Sequence, residues 1–354
     1  MSRKIEQIGI NVTGPAMNSQ NISSKVNINI DIPIGECKPR LTFKTPEEII
    51  KAQAFKAKLE STVDFETPVK ETVDQKRLVG EVFKSDNKTY RITEYIASGG
   101  MANIFKVLEL NEQKNYVVKM IKPELSDYEH LKYFLKEIKE MERFKHPNIV
   151  STYGSGLSFF IMEYASNDSL ETKIDELSQK AFLIYLSQIC NALDYVHKKH
   201  IIHRDVKPSN ILLFNNEVAK LADFGVACSS LEDQLRSETV IGTLGYMSPE
   251  QANQVLNPVK SFELTPSADM YAIGAILYRK FTANLPIPKI NDNRIDYLSR
   301  VIGETPDLDI IYKSNINPIL ASLISKLLEK EPSERFSASH LANTLGNLIK
   351  KNQF

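Results

Sequence analysis

The sequence predicts an α+β chain in which a run of strands precedes a run of helices, with a separate strand-bearing segment ahead of both. Three observations carry this reading. SKVNINIDIPI (24–34) alternates, with Val26, Ile28, Ile30, Ile32 and Ile34 on one side and polar residues or Pro33 on the other, the period-2 pattern of a half-buried strand. YRITEYIASGG (90–100), NIFKVLEL (103–110) and NYVVKMI (115–121) are successive stretches rich in β-branched and aromatic residues around a glycine turn. EHLKYFLKEIKEMERF (129–144) and KAFLIYLSQICNALDYVHKKH (180–200) then carry apolar stripes at helical spacing. Strands first and helices after is the element order of an α+β architecture.

Residues 1–88 form an N-terminal extension in this reading, with strands within 8–34, a helix over 46–60 and a linker over 61–80. Ile8, Ile10 and Val12 repeat the alternation briefly, so a small hairpin or sheet is expected. Thr45 can cap the helix, Pro46 suits its first position, and Glu47 and Glu48 complement its dipole. The polar stretch from Ser61 with Pro68 in it reads as linker. Farther on, Leu131, Phe134, Leu135, Ile138 and Met141 give the 129–144 helix one apolar face. Phe182, Leu186, Ile189, Leu193 and Val196 do the same for 180–200, a stripe that belongs to a core. FFIMEY (159–164) is a further strand-like run.

At 354 residues the chain can bury a full core as one large domain with an appendage or as several small ones. Its 44 basic residues balance 44 acidic ones, which excludes a net field directed at nucleic acid or an anionic membrane. Cys37, Cys190 and Cys228 are far apart and without CxxC spacing, so neither a disulfide framework nor a zinc site is expected. The opening MSRKIEQIGINVTG has no apolar core of signal-peptide length, and MYAIGAILY (270–278) is too short to span a bilayer. A cytoplasmic protein is expected, and the Asn-x-Ser/Thr triplets at Asn11 and Asn21 read as chance matches.

The chemistry concentrates in HRDVKPSN (203–210), where acid–base groups, two cations and an amide share eight positions with a proline. Downstream, KLADFGVA (220–227) supplies Asp223. Asn210 and Asp223, separated by an expected hairpin, are two oxygen-bearing side chains suited to a hard divalent cation such as Mg²⁺.

With these motifs the chain resembles the eukaryotic-type serine/threonine protein kinases that are also found in bacteria, and a bacterial member is expected. The resemblance covers residues 89–350 and rests on an ordered set of segments. The set runs IASGGMANIFKV, YVVK ending in Lys119, FLKEI with Glu137, HPNIV (146–150), FIMEY (160–164), HRDVKPSN and DFG. GTLGYMSPE (242–250), SADMYAIG (267–274) and PSERFSA (332–338) complete it. It implies a bilobal fold: an N-lobe of antiparallel sheet plus one helix (89–164), a mainly helical C-lobe (165–350), and ATP with Mg²⁺ between them.

By that resemblance Asp205 is the general base towards a substrate hydroxyl and Lys207 reaches the transferring phosphoryl group, while Asn210 and Asp223 hold Mg²⁺. Lys119, paired with Glu137, addresses the α- and β-phosphates. The glycine loop comprises Ile96, Ala97, Ser98, Gly99, Gly100, Met101, Ala102, Asn103 and Ile104, and Glu163 joins these as a cofactor-binding position. Here the chain departs from the family, because Ala97 and Ala102 stand where two of three glycines are usual.

Lys207, in place of the alanine of tyrosine-specific relatives, and Thr243 imply serine or threonine hydroxyls of proteins as substrates. Arg204 implies a phosphorylated activation loop, with Thr239 the preferred acceptor, then Ser237, ahead of Ser229 and Ser230. Glu250 and Arg335 match a structural ion pair. The alternative, prompted by the two alanines, is a pseudokinase that serves as a binding scaffold. Residues 1–88 carry no chemical motif, and capping of the small lobe, partner docking or an autoinhibitory contact are the roles considered for them.

Overall fold

A computed structural model describes residues 10–13, 26–30, 40–43, 78–122, 128–215, 217–225, 243–257, 264–290, 293–313 and 316–353. The helix expected at 46–60, most of the linker, and Ser229, Ser230, Ser237 and Thr239 lie outside the described residues. The chain divides into two compact units, one of Met1–Ile138 with Thr152–Tyr164, the other of Lys139–Ser151 with Ala165–Phe354.

Three short antiparallel strands come first: β1 (Ile10–Thr13), β2 (Val26–Ile30) and β3 (Arg40–Phe43), in that spatial order. Ile28 lies opposite Val12 and Leu41, Ile30 opposite Ile10, and Val26 opposite Phe43. β3 has no counterpart in the sequence reading, since RLTF is too short for its alternation to register.

The first unit is built on β4 (Val82–Ser85), β5 (Lys88–Ser98), β6 (Ala102–Glu109), β7 (Lys114–Ile121), β8 (Thr152–Ser155) and β9 (Phe159–Glu163). They form one antiparallel sheet in the order β4-β5-β6-β7-β9-β8. β4 lies ahead of the 88/89 boundary drawn from the sequence and pairs with β5 through a two-residue turn. Asp86 and Asn87 in that turn hold φ of 47° and 64°, a left-handed conformation that these two residue types tolerate.

Two register irregularities along β5 curl the sheet. Its edges meet where a Cβ on Gly154 of β8 would lie 2.9 Å from Asp86 Oδ2 and 3.0 Å from Ser85 Oγ. Inside the curl Phe83, Tyr90, Ile92, Phe105, Val107, Tyr116, Val118, Phe159 and Ile161 form the core. Strand alternation turns Val117, Lys119 and Phe160 to the other face, where Phe134 of α1 (Tyr128–Arg143) packs with its ring centroid 5.6 Å from that of Phe160.

The second unit is mainly helical: α2 (Leu170–Lys173), α3 (Gln179–His197), α4 (Pro249–Leu256), α5 (Ser267–Thr282), α6 (Arg294–Gly303), α7 (Asp309–Lys313), α8 (Pro318–Leu327) and α9 (Ala338–Lys350). One hairpin interrupts it, β10 (Ile211–Phe214) with β11 (Val218–Leu221). The MYAIGAILY stretch is the centre of α5, buried from Ala268 to Tyr278. α8 approaches it so closely that a Cβ on Gly274 would lie 2.8 Å from Leu327 Cβ. No helix among the described residues is long and apolar enough to cross a membrane.

Arg335 anchors this unit with its guanidinium fully enclosed. It donates to Glu250 Oε1 (2.6 Å) and Oε2 (2.9 Å), and to the carbonyls of Ser267, Glu329 and Lys330. Removing one partner of such a pair leaves a buried charge uncompensated. Arg335→Ala is expected to lower the unfolding free energy by ~3–5 kcal/mol in denaturant titration, and a loss under ~1 kcal/mol would show that the pair is not what holds this corner.

Candidate active site

In the first unit, β7 carries Lys119 on the face opposite Val118, and α1 presents Glu137 one turn after Phe134. The Lys119 ammonium lies 2.6 Å from Glu137 Oε1, with side chains only 11% and 4% exposed. The Phe160 ring lies beneath the ammonium at 5.6 Å. A pair so enclosed is held in one geometry, unlike the solvated strand-edge lysine that position alone suggests.

The glycine loop closes tightly. β5 and β6 pair as far as Ser98 opposite Asn103, leaving Gly99, Gly100 and Met101 in the turn. The Gly99 N–H donates to Ala102 O (2.8 Å), and the Lys122 N–H donates to Met101 O (2.9 Å). Ala97 lies opposite Ile104, and Ala102 opposite Ile121. Neither alanine has a positive φ, so their methyl groups cost no backbone strain. Ile96 is exposed, Ile104 is half-buried, and Asn103 is buried, its Oδ1 without a hydrogen-bond partner among the described residues. Glu163 ends β9, half-buried and opposite Tyr116.

In the second unit the acid–base residues gather around a short loop. Lys207 Nζ lies 2.7 Å from Asp205 Oδ2. Pro208 opens a single 3₁₀ turn, Pro208–Asn210, which its fixed φ favours. Asn210 at its end donates through Nδ2 to Asp205 O (2.9 Å) and Asp205 Oδ2 (3.0 Å). Burial pushes the Asp205 carboxyl above the usual carboxylate range and the neighbouring Asp223 adds to this, while Lys207 opposes it.

The expected hairpin joins Asn210 to Asp223. Ile211 pairs with Leu221, and beyond that pair the Ala222 N–H donates to Asn210 O (2.9 Å). Asp223 then takes a φ of 64° and accepts from the Gly225 N–H (3.3 Å). Among the described residues no three His, Cys, Asp or Glu side chains gather as a metal cluster. A cation here would draw on Asn210 and Asp223 and complete its shell with phosphate and water, an all-oxygen set that fits Mg²⁺. Because Asn210 Nδ2 is engaged with Asp205, its Oδ1 is the atom left for a cation.

The loop itself hangs on residues that motif reading left without a role. Asp269, near the start of α5, accepts from the backbone N–H of His203 (2.9 Å) and of Arg204 (2.8 Å). His197 Nε2 lies 2.8 Å from its Oδ2. Burial favours the neutral form of this carboxyl, but the His197 bond, the two nearby histidines and the His203 N–H outweigh burial and hold it below its ordinary range. His203 is buried, accepts at Nδ1 from the Asp205 N–H (3.3 Å), and donates from Nε2 to Ala222 O (3.0 Å). Those partners assign its tautomer. The only sign of Asp269 in the sequence is an acid within the apolar run SADMYAIG.

The first unit thus holds an enclosed lysine–glutamate pair beside a glycine turn, and the second holds an aspartate–lysine–asparagine cluster on a loop before a β-hairpin. Residues 90–345 match the family model described as protein kinase domain, and the chain belongs to that family. It is 30% identical over 269 residues to a probable serine/threonine-protein kinase of Clostridium acetobutylicum, covering 73% of this chain and 40% of the relative. It is 32% identical over 266 residues to the serine/threonine-protein kinase pkn3 of Myxococcus xanthus (70% and 47%). It is 29% identical over 259 residues to the serine/threonine-protein kinase PrkC of Bacillus subtilis (71% and 39%). The aligned part thus spans less than half the length of these curated relatives.

Asp269→Asn keeps the shape but turns an N–H₂ towards groups that need an acceptor. Amide exchange at His203 and Arg204 is expected to speed by about tenfold or more, and unchanged protection of both amides would show that the loop is held by other contacts.

Proposed function

We propose that this chain is an ATP-dependent serine/threonine protein kinase, transferring the γ-phosphoryl group of ATP to hydroxyls of protein substrates. The observation that carries the reading is Asp205, fixed at 2.7 Å by Lys207 and at 3.0 Å by Asn210 on one loop. The relatives bearing the serine/threonine-protein kinase name support it. Residues from Ile96 to Ile104, with Glu163, receive the nucleotide, and Lys119 addresses its phosphates from the place Glu137 gives it. Asp205 orients the substrate hydroxyl and takes its proton as the oxygen attacks, a contribution of roughly 10²–10⁴ in rate. Lys207 follows the charge on the phosphoryl group in flight. Asn210 and Asp223 hold Mg²⁺, which when bound supplies positive charge against the phosphate oxygens.

The family reading extends to autophosphorylation of the activation loop at Thr239 or Ser237. Arg204 Nε supports it, being buried without a hydrogen-bond partner among the described residues, because a guanidinium donor so placed suits a phosphate. The catalytic part takes in residues 89–350 with β4 ahead of them, and the extension before it serves docking or inhibition in cis.

Labelling from radioactive ATP, on the chain itself and on a generic basic protein, is expected to fall by ~10² or more in Asp205→Asn and Lys119→Ala. Equal labelling of all three proteins would end the assignment. Because the base must be ionised and its carboxyl is raised, the acid limb of kcat/KM is expected above the ~3.9 of an ordinary aspartate. The same shift has a stability consequence. A carboxyl raised on folding binds more protons folded than unfolded, so its contribution is present at low pH and lost as pH rises through the folded value. Asp205→Asn is therefore expected to unfold at neutral pH no more easily than wild type. A markedly lower Tm would contradict that sign.

A further inference from the structure

Gln251 lies four residues beyond Met247 and two beyond Pro249, in the first turn of α4. Its side-chain amide is buried and bonded at both ends. Oε1 accepts from the Ser248 N–H and the Ser248 hydroxyl, both at 3.1 Å. Nε2 leaves its own helix and donates to the backbone carbonyl of Arg204 at 2.8 Å.

Arg204 is the residue before Asp205, and its φ of 68° is a conformation that L-residues other than asparagine and aspartate avoid. The same residue donates its N–H to Asp269 Oδ1 at 2.8 Å. The peptide groups on either side of one left-handed α-carbon are thus gripped from two helices, by a carboxylate on α5 and a carboxamide on α4. Twisting at this position would swing the Asp205 backbone directly, and Gln251 restrains it from the Asp205 side.

We infer that Gln251 is a positioning residue for the Asp205 base, coupling the GTLGYMSPE segment to the HRD loop through the Arg204 carbonyl. The inference rests on the kinase reading given above. It separates from the plainer role of a helix cap by chemistry. The capping box at Ser248 is served equally by glutamine or glutamate at this position, and a negative charge in the first turn of a helix is favourable. Only the bond to Arg204 requires an N–H, which an ionised glutamate lacks.

Gln251→Glu in the full chain, assayed at about pH 8 so that a carboxyl at a helix N-terminus is ionised, therefore distinguishes the two roles. The expected result is a folded protein with a Tm lowered by only about 2–4 °C, since the cap is kept, KM values for ATP and protein substrate within about twofold, and kcat lowered ~10–100-fold. Ser248→Ala reverses the pattern, removing the cap while the donation to Arg204 stays. It is expected to lower Tm by ~2–4 °C and to hold kcat within about twofold. Wild-type kcat in Gln251→Glu, or a kcat loss in Ser248→Ala as large as that in Gln251→Glu, would overturn the inference while leaving the kinase reading intact. Absence of phosphoryl transfer by the wild-type chain would overturn both.

Discussion

One buried carboxylate, Asp269, holds the irregular loop that carries Asp205, Lys207 and Asn210. Residues 201–207 belong to no helix or strand, so their backbone donors have no ladder to satisfy them. Two of those donors, at His203 and Arg204, end on Asp269. An isolated carboxylate in the first turn of a buried helix would cost several kcal/mol in desolvation. Here it accepts two N–H groups and faces His197 of α3, which turns a liability into a fixed point. Because α5 is itself the buried axis of its unit, the loop inherits the rigidity of the core instead of the mobility usual for surface connections.

The first unit reaches a comparable result with the two-residue period of a strand. The alternation that puts Tyr116 and Val118 into the core must put Lys119 on the opposite face. α1 covers that face with Phe134 and brings Glu137 beside it. The ion pair is therefore a by-product of packing that would have to occur anyway. Its near-complete enclosure makes it costly to break once formed, since each partner would be left as a lone buried charge.

This division explains what the sequence could and could not say. The helices at Tyr128–Arg143 and Gln179–His197 fall within a few residues of their expected spans, because their stripes are long and periodic. Asp205, Lys207, Asn210 and Asp223 were legible as residue types at fixed spacing within two short segments. The four-residue edge strands VFKS and TYGS were not, since such strands owe their conformation to distant partners. Asp269 and Gln251 were hidden for the same reason. Their bonds span 66 and 47 residues, and neither an acid in an apolar run nor a glutamine after SPE announces a partner so far away.

Two of the left-handed non-glycine residues of this chain, Arg204 and Asp223, fall in the candidate site, whereas the glycine turn has none. Arg204 and Asp223 both hold left-handed φ without being glycine, at a cost of ~1–2 kcal/mol for Arg204 and less for Asp223, a residue type that tolerates it. One precedes Asp205, and the other is a ligand in the proposed cation site. The bonds from Asp269 and Gln251 offset that cost at Arg204. At the glycine turn the situation is reversed, because Gly99 has no positive φ, and an added Cβ would meet only Ala102 O at 3.5 Å, an ordinary contact. A turn that makes no left-handed demand does not need a glycine at every place, so Ala97 and Ala102, both in strands, are compatible with it. What glycine contributes there is the bare surface of a backbone that a phosphate can approach. The departure from the family's glycine pattern thus leaves the hairpin's geometry untouched, and its consequence falls on the nucleotide approach proposed for this turn.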